Sequence, residues 1–183
     1  MSEENLVRQC APTLAGIKTG TIFPVPFKDL DSLTMEIREL NRILVPKGLR
    51  LLPLRYQDQK ALLYLYRPSE LQKDLKDQLA EALLADAGYP DKGSEQCVAY
   101  LARRFRSGGE FPHEVGLFLS YPPEDVKGFI DHRANDCKCA GLWKVYGDEE
   151  KAQTLFAKYK KCTEIYCALW QSGSKLEQRA VAV

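Results

Sequence analysis

Two largely apolar runs, Leu49 to Tyr56 and Lys60 to Arg67, separated only by the polar break Gln57-Asp58-Gln59, constrain the fold of this chain more than any other feature. Their spacing is that of strands and the break has the length of a hairpin turn, so an antiparallel pair is predicted. Strand side chains alternate, which sends Ala61, Leu63 and Leu65 to one face and Leu62, Tyr64 and Tyr66 to the other. Both faces are apolar. The second strand is therefore expected at the centre of a sheet, covered or partly covered on both sides.

Helical spacing surrounds the hairpin. Glu3 to Gln9 has helical character, and Pro12 is expected to start a second short turn through Lys18 that stops at Gly20. Pro24 and Pro26 predict an extended connection, after which Asp31 or Ser32 caps a helix with Leu33, Ile37, Leu40 and Leu44 on one face, closed by Pro46-Lys47-Gly48. Pro68 and Ser69 open another, with Gln72 placed for a capping box and Leu71, Leu75, Leu79 and Leu83 recurring until Gly88 and Pro90. Ser94 starts the next, burying Cys97, Val98, Leu101 and Phe105. Val115 to Tyr121 reads as a strand, followed by a short helix from Pro122-Pro123 through Ile130, a loop from Asp131 to Ala140, and a strand from Leu142 to Tyr146. Asp148 caps the longest helix, whose inward stripe is Ala152, Leu155, Phe156, Tyr159, Cys162, Tyr166 and Trp170. The expected fold class is α+β: a small mixed or antiparallel sheet of about four strands packed with six or seven helices.

With 183 residues, 45% of them apolar, the chain can bury one substantial core. A single domain over residues 1–171 is expected, with a weakly ordered tail over residues 172–183. The formal charge is only +1, so the broad positive field of a non-specific nucleic-acid binder is missing. Neither a signal peptide nor a spanning apolar segment is evident, which predicts a cytoplasmic protein away from membranes. Under that reading the cysteines are reduced thiols, and Cys97 and Cys162 fall on apolar helical stripes.

Four chemistries are weighed. Neither a Gly-Lys-Ser/Thr phosphate loop nor a Gly-x-Gly-x-x-Gly turn occurs, which removes the common nucleotide sites. His132, Cys137 and Cys139 share one loop and are candidate metal ligands, but Cys-x-Cys is not the usual knuckle and a fourth ligand such as Cys10 or His113 would have to come from afar. His113 is a candidate acid or base beside Glu114; adjacent strand residues project to opposite faces, so their cooperation requires an irregular strand entrance after Pro112. Tyr64, Tyr66, Phe118, Tyr121, Trp143 and Tyr146 cluster on predicted strands and could cradle a flat ligand such as flavin or haem, with Lys18, Arg67 and Lys144 as partners for its acidic groups.

Four segments carry a resemblance: Cys10-Ala11-Pro12-Thr13-Leu14-Ala15-Gly16-Ile17-Lys18-Thr19, Tyr64-Leu65-Tyr66-Arg67-Pro68, the stretch from Phe111 to Ile130, and Gly141-Leu142-Trp143-Lys144-Val145-Tyr146-Gly147-Asp148. Together they resemble the family catalogued as domain of unknown function 3793, found chiefly in anaerobic Gram-positive bacteria, along nearly the whole chain. The resemblance implies no catalytic residues. It narrows identity without supplying a function; Cys10, Lys18, Arg67, His113, Glu114, Trp143 and Lys144 all fall inside the resembling segments. The leading expectation is an accessory or binding protein of anaerobic metabolism handling a flat cofactor or iron, with Lys18, Arg67, His113, Glu114, Trp143 and Lys144 as ligand-binding candidates. Where the family pattern commonly has glycine before the Tyr-Pro pair, this chain has Ser120. The alternatives are an enzyme in which His113 does acid-base chemistry on an anionic small molecule, and a protein-protein interaction module.

Overall fold

The apolar hairpin forms as its alternation predicts. In a computed structural model that describes residues 2–173 and 175–182, β2 (Arg50–Gln57) and β3 (Lys60–Tyr66) pair antiparallel. The turn consists of Asp58 and Gln59, both at positive φ, the backbone that matches strand twist in a two-residue hairpin. A third strand, β1 (Gly20–Pro26), pairs antiparallel on the other side, so the order is β1-β3-β2. The segment expected to be only an extended connection is thus an edge strand. Its prolines fit that place, because proline cannot donate to a ladder and is confined to edges. Pro53 likewise lies on the opposite edge strand, beside a bulge at Leu54.

The sheet divides the interior into two layers. Ala61, Leu63 and Leu65 pack with Phe23 and Val25 against α1 (Glu3–Leu14) and α2 (Leu30–Leu44). Tyr64 and Tyr66 face the other way, toward α3 (Pro68–Asp74), α4 (Gln78–Asp86) and α5 (Ser94–Arg106). Burying a leucine-sized side chain on either face contributes roughly 1.5–3 kcal/mol. The centre of the sheet therefore supplies much of the driving force for folding.

Several local expectations are corrected. Helix α1 runs straight through Pro12, which lies in its last turn; its carbonyl accepts from the N–H groups of Ile17 and Lys18, and Gly16 takes the left-handed conformation instead. Helix α2 is capped by Asp29, not Asp31 or Ser32. The leucine repeat is broken between α3 and α4, where Asp77 accepts from the N–H groups of Leu79 and Ala80 and shifts burial to Ala80 and Leu84. Gln72 reaches across to the Ser94 N–H at 2.9 Å and so satisfies the start of α5.

The largest correction concerns Val115 to Tyr121. The predicted strand is a 3₁₀ helix, His113–Leu119, with Val115, Gly116, Leu117 and Phe118 buried in succession. A short continuous apolar run does not distinguish strand from helix by period alone. The Tyr64 hydroxyl donates to the Phe118 carbonyl at 2.7 Å, so a side chain occupies a group that a strand would use for its ladder. Helix α6 (Pro123–Asp131) follows as expected. The later strand shrinks to β5 (Lys144–Val145), paired antiparallel with β4 (Cys139–Ala140). Helix α7 (Glu149–Gln171), capped by Asp148, lies against α1. In the tail, Leu176 and Ala180 of and after α8 (Leu176–Arg179) join the first core layer, and the Val181 N–H donates to the Leu14 carbonyl. Ser174 and Val183 of that tail lie outside the described residues. The fold is α+β with antiparallel sheets only, as the strand and helix content anticipates.

Candidate functional site

A 3₁₀ turn separates neighbours differently from a strand. His113 is exposed, with its ring between those of Phe111 and Phe129 at centroid distances of 5.6 and 5.2 Å. Glu114 is 4% exposed and turns inward, where Tyr89 Oη donates to its carboxylate at 2.8 Å and Arg104 Nη1 lies at 2.9 Å. Burial, reinforced by that carboxylate, pushes the Tyr89 phenol far above its usual range. His113 and Glu114 thus serve different surroundings.

His113 stands at the rim of a hollow of about 450 Å³, a volume typical of small-molecule sites. Its wall comes from the 3₁₀ turn, α6 and the β4–β5 ribbon, with the rings of Phe111, Tyr121, Phe129 and Trp143 and the aliphatic Val115, Leu119 and Val126. Two glycines bring backbone close to this wall. A Cβ on Gly116 would stand 2.7 Å from Val126 Cγ2, and one on Gly141 would collide with the Phe156 ring.

Asp125 organises the polar side of this arrangement. It is 2% exposed, and its carboxylate accepts from Trp143 Nε1 and from the backbone N–H groups of Tyr146 and Gly147, each at 2.7 Å. A carboxylate with three donors is well compensated for burial. It ties α6 to the ribbon and fixes the indole, which stacks on Tyr121 at 4.7 Å and meets Phe156 edge-on at 4.4 Å. Lys144 is occupied as well: its ammonium donates to the Ala134 carbonyl at 2.6 Å and straps the preceding loop. Asp125→Asn is expected to place an amide N–H against the indole N–H, costing about 1–3 kcal/mol. Trp143 emission should shift to the red; an unchanged spectrum with unchanged stability would contradict the role assigned to Asp125.

The remaining candidates separate. Arg67, 1% exposed, donates to the carbonyls of Thr13 (2.9 Å), Leu14 (2.9 Å), Val181 (2.8 Å) and Lys47 (3.2 Å), and so joins α1, the turn after α2 and the tail. Lys18 lies closer to the hollow: its Nζ is 5.7 Å from the centre of the Tyr121 ring and 6.0 Å from that of Tyr159. Burial lowers the Lys18 amine to about 8, against a small opposing pull from Cys10. A group with a depressed folded pKa weakens the fold as pH falls through that value. Lys18→Met is therefore expected to stabilise the protein by ~1 kcal/mol near neutral pH, an advantage that fades toward the unfolded lysine pKa. Urea midpoints at neutral and alkaline pH check it; a variant less stable at both contradicts the sign.

Among the described residues no group of three or more His, Cys, Asp or Glu side chains could hold a metal ion. Cys10 is fully buried in the first core layer. His132 stacks on Tyr146 at 5.6 Å and lies 3.8 Å from Asp136, whereas Cys139 packs with the ribbon cluster around Trp143. Sequence reasoning missed Asp125, which reads as one more acid in the first turn of α6. Its partners lie 18 to 22 positions downstream, so no local spacing marks it.

Residues 6–179 match the family model described as a protein of unknown function, DUF3793. The chain belongs to this family. The match spans all four segments that carry the resemblance, including the hollow and both Lys18 and Arg67. No curated protein and no solved structure matches the chain. No helix among the described residues is long and apolar enough to cross a membrane.

Proposed function

We propose that this DUF3793 protein is a binding protein for a flat, largely apolar molecule held in the hollow beside Trp143. The reading rests on one observation: the polar groups fixed at the wall, Asp125 and Lys144, already have partners, so His113 at the rim is left to meet a ligand's hydrogen-bonding edge. An apolar wall with few polar groups favours binding over catalysis, because acid-base chemistry requires a second oriented group. A flat organic ring suits this wall better than iron, given the donor sets around the cysteines. The anaerobic setting implied by the resemblance and the cytoplasmic location expected from the sequence belong to the same proposal, and the enzyme and interaction readings are its competitors.

Titration with lumiflavin and with haem, followed by quenching of Trp143 emission, tests it. Saturable one-to-one binding is expected for at least one of them. Phe129→Ala, near the surface and outside the central sheet, should weaken it by roughly tenfold, the loss of one buried aromatic contact. Absence of saturable binding by both probes, or binding indifferent to Phe129→Ala, defeats the proposal.

A further inference from the structure

The rings around the hollow beside Trp143 are not held alike. Asp125 fixes the indole, Tyr121 stacks on it, and Phe129 belongs to α6. Phe111 differs: it reaches the same hollow from the connection between α5 and the 3₁₀ turn, and it is 57% exposed.

Both ends of that connection are anchored. The Ser107 N–H closes α5 on the Arg103 carbonyl at 3.0 Å, and the Pro112 carbonyl accepts from the Val115 N–H at 3.0 Å. Between them Gly108, Gly109, Glu110 and Phe111 make no hydrogen bond or ion pair with the described residues. A segment with no backbone bonds and much exposed surface opens at little cost. A Cβ on Gly108 or Gly109 would meet nothing within 4 Å, and Gly108 stands at φ 71°, so the two glycines form a hinge with no packing around it. At the far end ring contacts take the place of hydrogen bonds: Phe111 meets Phe105 edge-on at 5.6 Å and the His113 ring at 5.6 Å. Pro112, at φ −72°, ends the movable part sharply, because its ring admits little rotation.

We propose that Phe111 is a lid on the hollow, carried by the Gly108–Phe111 strap, that leaves the Phe105 edge and closes on the open face of the bound flat molecule. The inference rests on the binding reading above and adds the residue that retains the ligand. Covering a planar ring seated against Trp143 and Phe129 removes two apolar surfaces from water together, and stacks two rings that the open state leaves apart. That gain exists only with the ligand in place, so occupancy drives the closure. Because the Phe111 ring also rests on His113, its departure frees the imidazole for the ligand's polar edge.

The full chain is labelled with 4-fluorophenylalanine, and the Phe111 fluorine resonance is assigned through Phe111→Leu. A para fluorine lies on the ring-flip axis, so its exchange reports displacement of the ring and not flipping. Without ligand, relaxation dispersion on the microsecond-to-millisecond scale of lids is expected at this position. Gly109→Ala, which adds a Cβ into open space, should slow that exchange several-fold. Stopped-flow binding of lumiflavin and of haem supplies the second arm. Gly109→Ala should slow association and dissociation together and leave affinity nearly unchanged, whereas Phe111→Ala should speed dissociation several-fold. A Phe111 resonance without dispersion, or binding rates indifferent to Gly109→Ala, overturns the lid and makes Phe111 a fixed part of the wall. Binding of neither probe overturns the binding reading and with it the closure, while the ligand-free exchange separately tells whether the strap moves.

Discussion

Replacing Arg67 with methionine is expected to lower folding stability by about 3–5 kcal/mol, the range for leaving several buried polar partners without a donor. The guanidinium joins the carbonyl end of α1, through Thr13 and Leu14, to Lys47 and to Val181, segments otherwise remote in sequence. Methionine fills much of the volume but donates nothing, and the bonds to Thr13 and Leu14 are wholly buried, so water cannot readily replace them. Loss should appear as a reduced urea midpoint and as faster exchange of the Val181 N–H, which bonds the Leu14 carbonyl. Arg67→Lys should recover only part, because one ammonium cannot reproduce a planar fork aimed at several carbonyls. A change below about 1 kcal/mol for Arg67→Met, near the value of a single ordinary hydrogen bond, would show that the clamp is dispensable. Arg67 would then return to the pool of ligand-binding candidates.

The second large effect is expected at Glu114. Glu114→Ala strands the Tyr89 hydroxyl and the Arg104 guanidinium, which is 28% exposed in its side chain and can partly rehydrate. A cost of about 2–4 kcal/mol follows, below that of breaking a fully buried pair. The double variant Glu114→Ala with Arg104→Met should be less damaging than the sum of the two single changes, since removing both charges leaves neither unpaired. Additive losses from chemical denaturation would indicate that the pair is not coupled. Tyr89→Phe should cost only about 1 kcal/mol, the net worth of one hydrogen bond.

Both residues sit inside the segments that resemble the family pattern, and from the sequence alone both read as ligand partners. The geometry explains why sequence reasoning placed them there. A polar residue inside an apolar segment signals a requirement, but the signal is the same for a ligand contact and for a buried clamp. Trp143 and His113 carry the same ambiguity, yet they border the apolar hollow. Ser120 illustrates a third outcome. It occupies the left-handed conformation at φ 59°, a backbone that glycine adopts most easily, and its hydroxyl accepts from the Thr19 N–H at 2.7 Å. The side chain that strains the backbone also anchors the strand entrance of β1.

The chain alone determined its hairpin, the two-sided burial of β3, the proline start of α6 and the capped start of α7, because alternation, proline placement and side-chain caps act within a few residues. Only the tertiary structure decided that Val115 to Leu119 coils, that Pro24 and Pro26 edge a sheet, and that Asp125 holds Trp143. Each depends on groups supplied from elsewhere in the chain: the Tyr64 hydroxyl on the Phe118 carbonyl, the β3 ladder beside β1, and the indole and amides of the ribbon around one carboxylate. Local periodicity cannot register partners that arrive only when the backbone has closed.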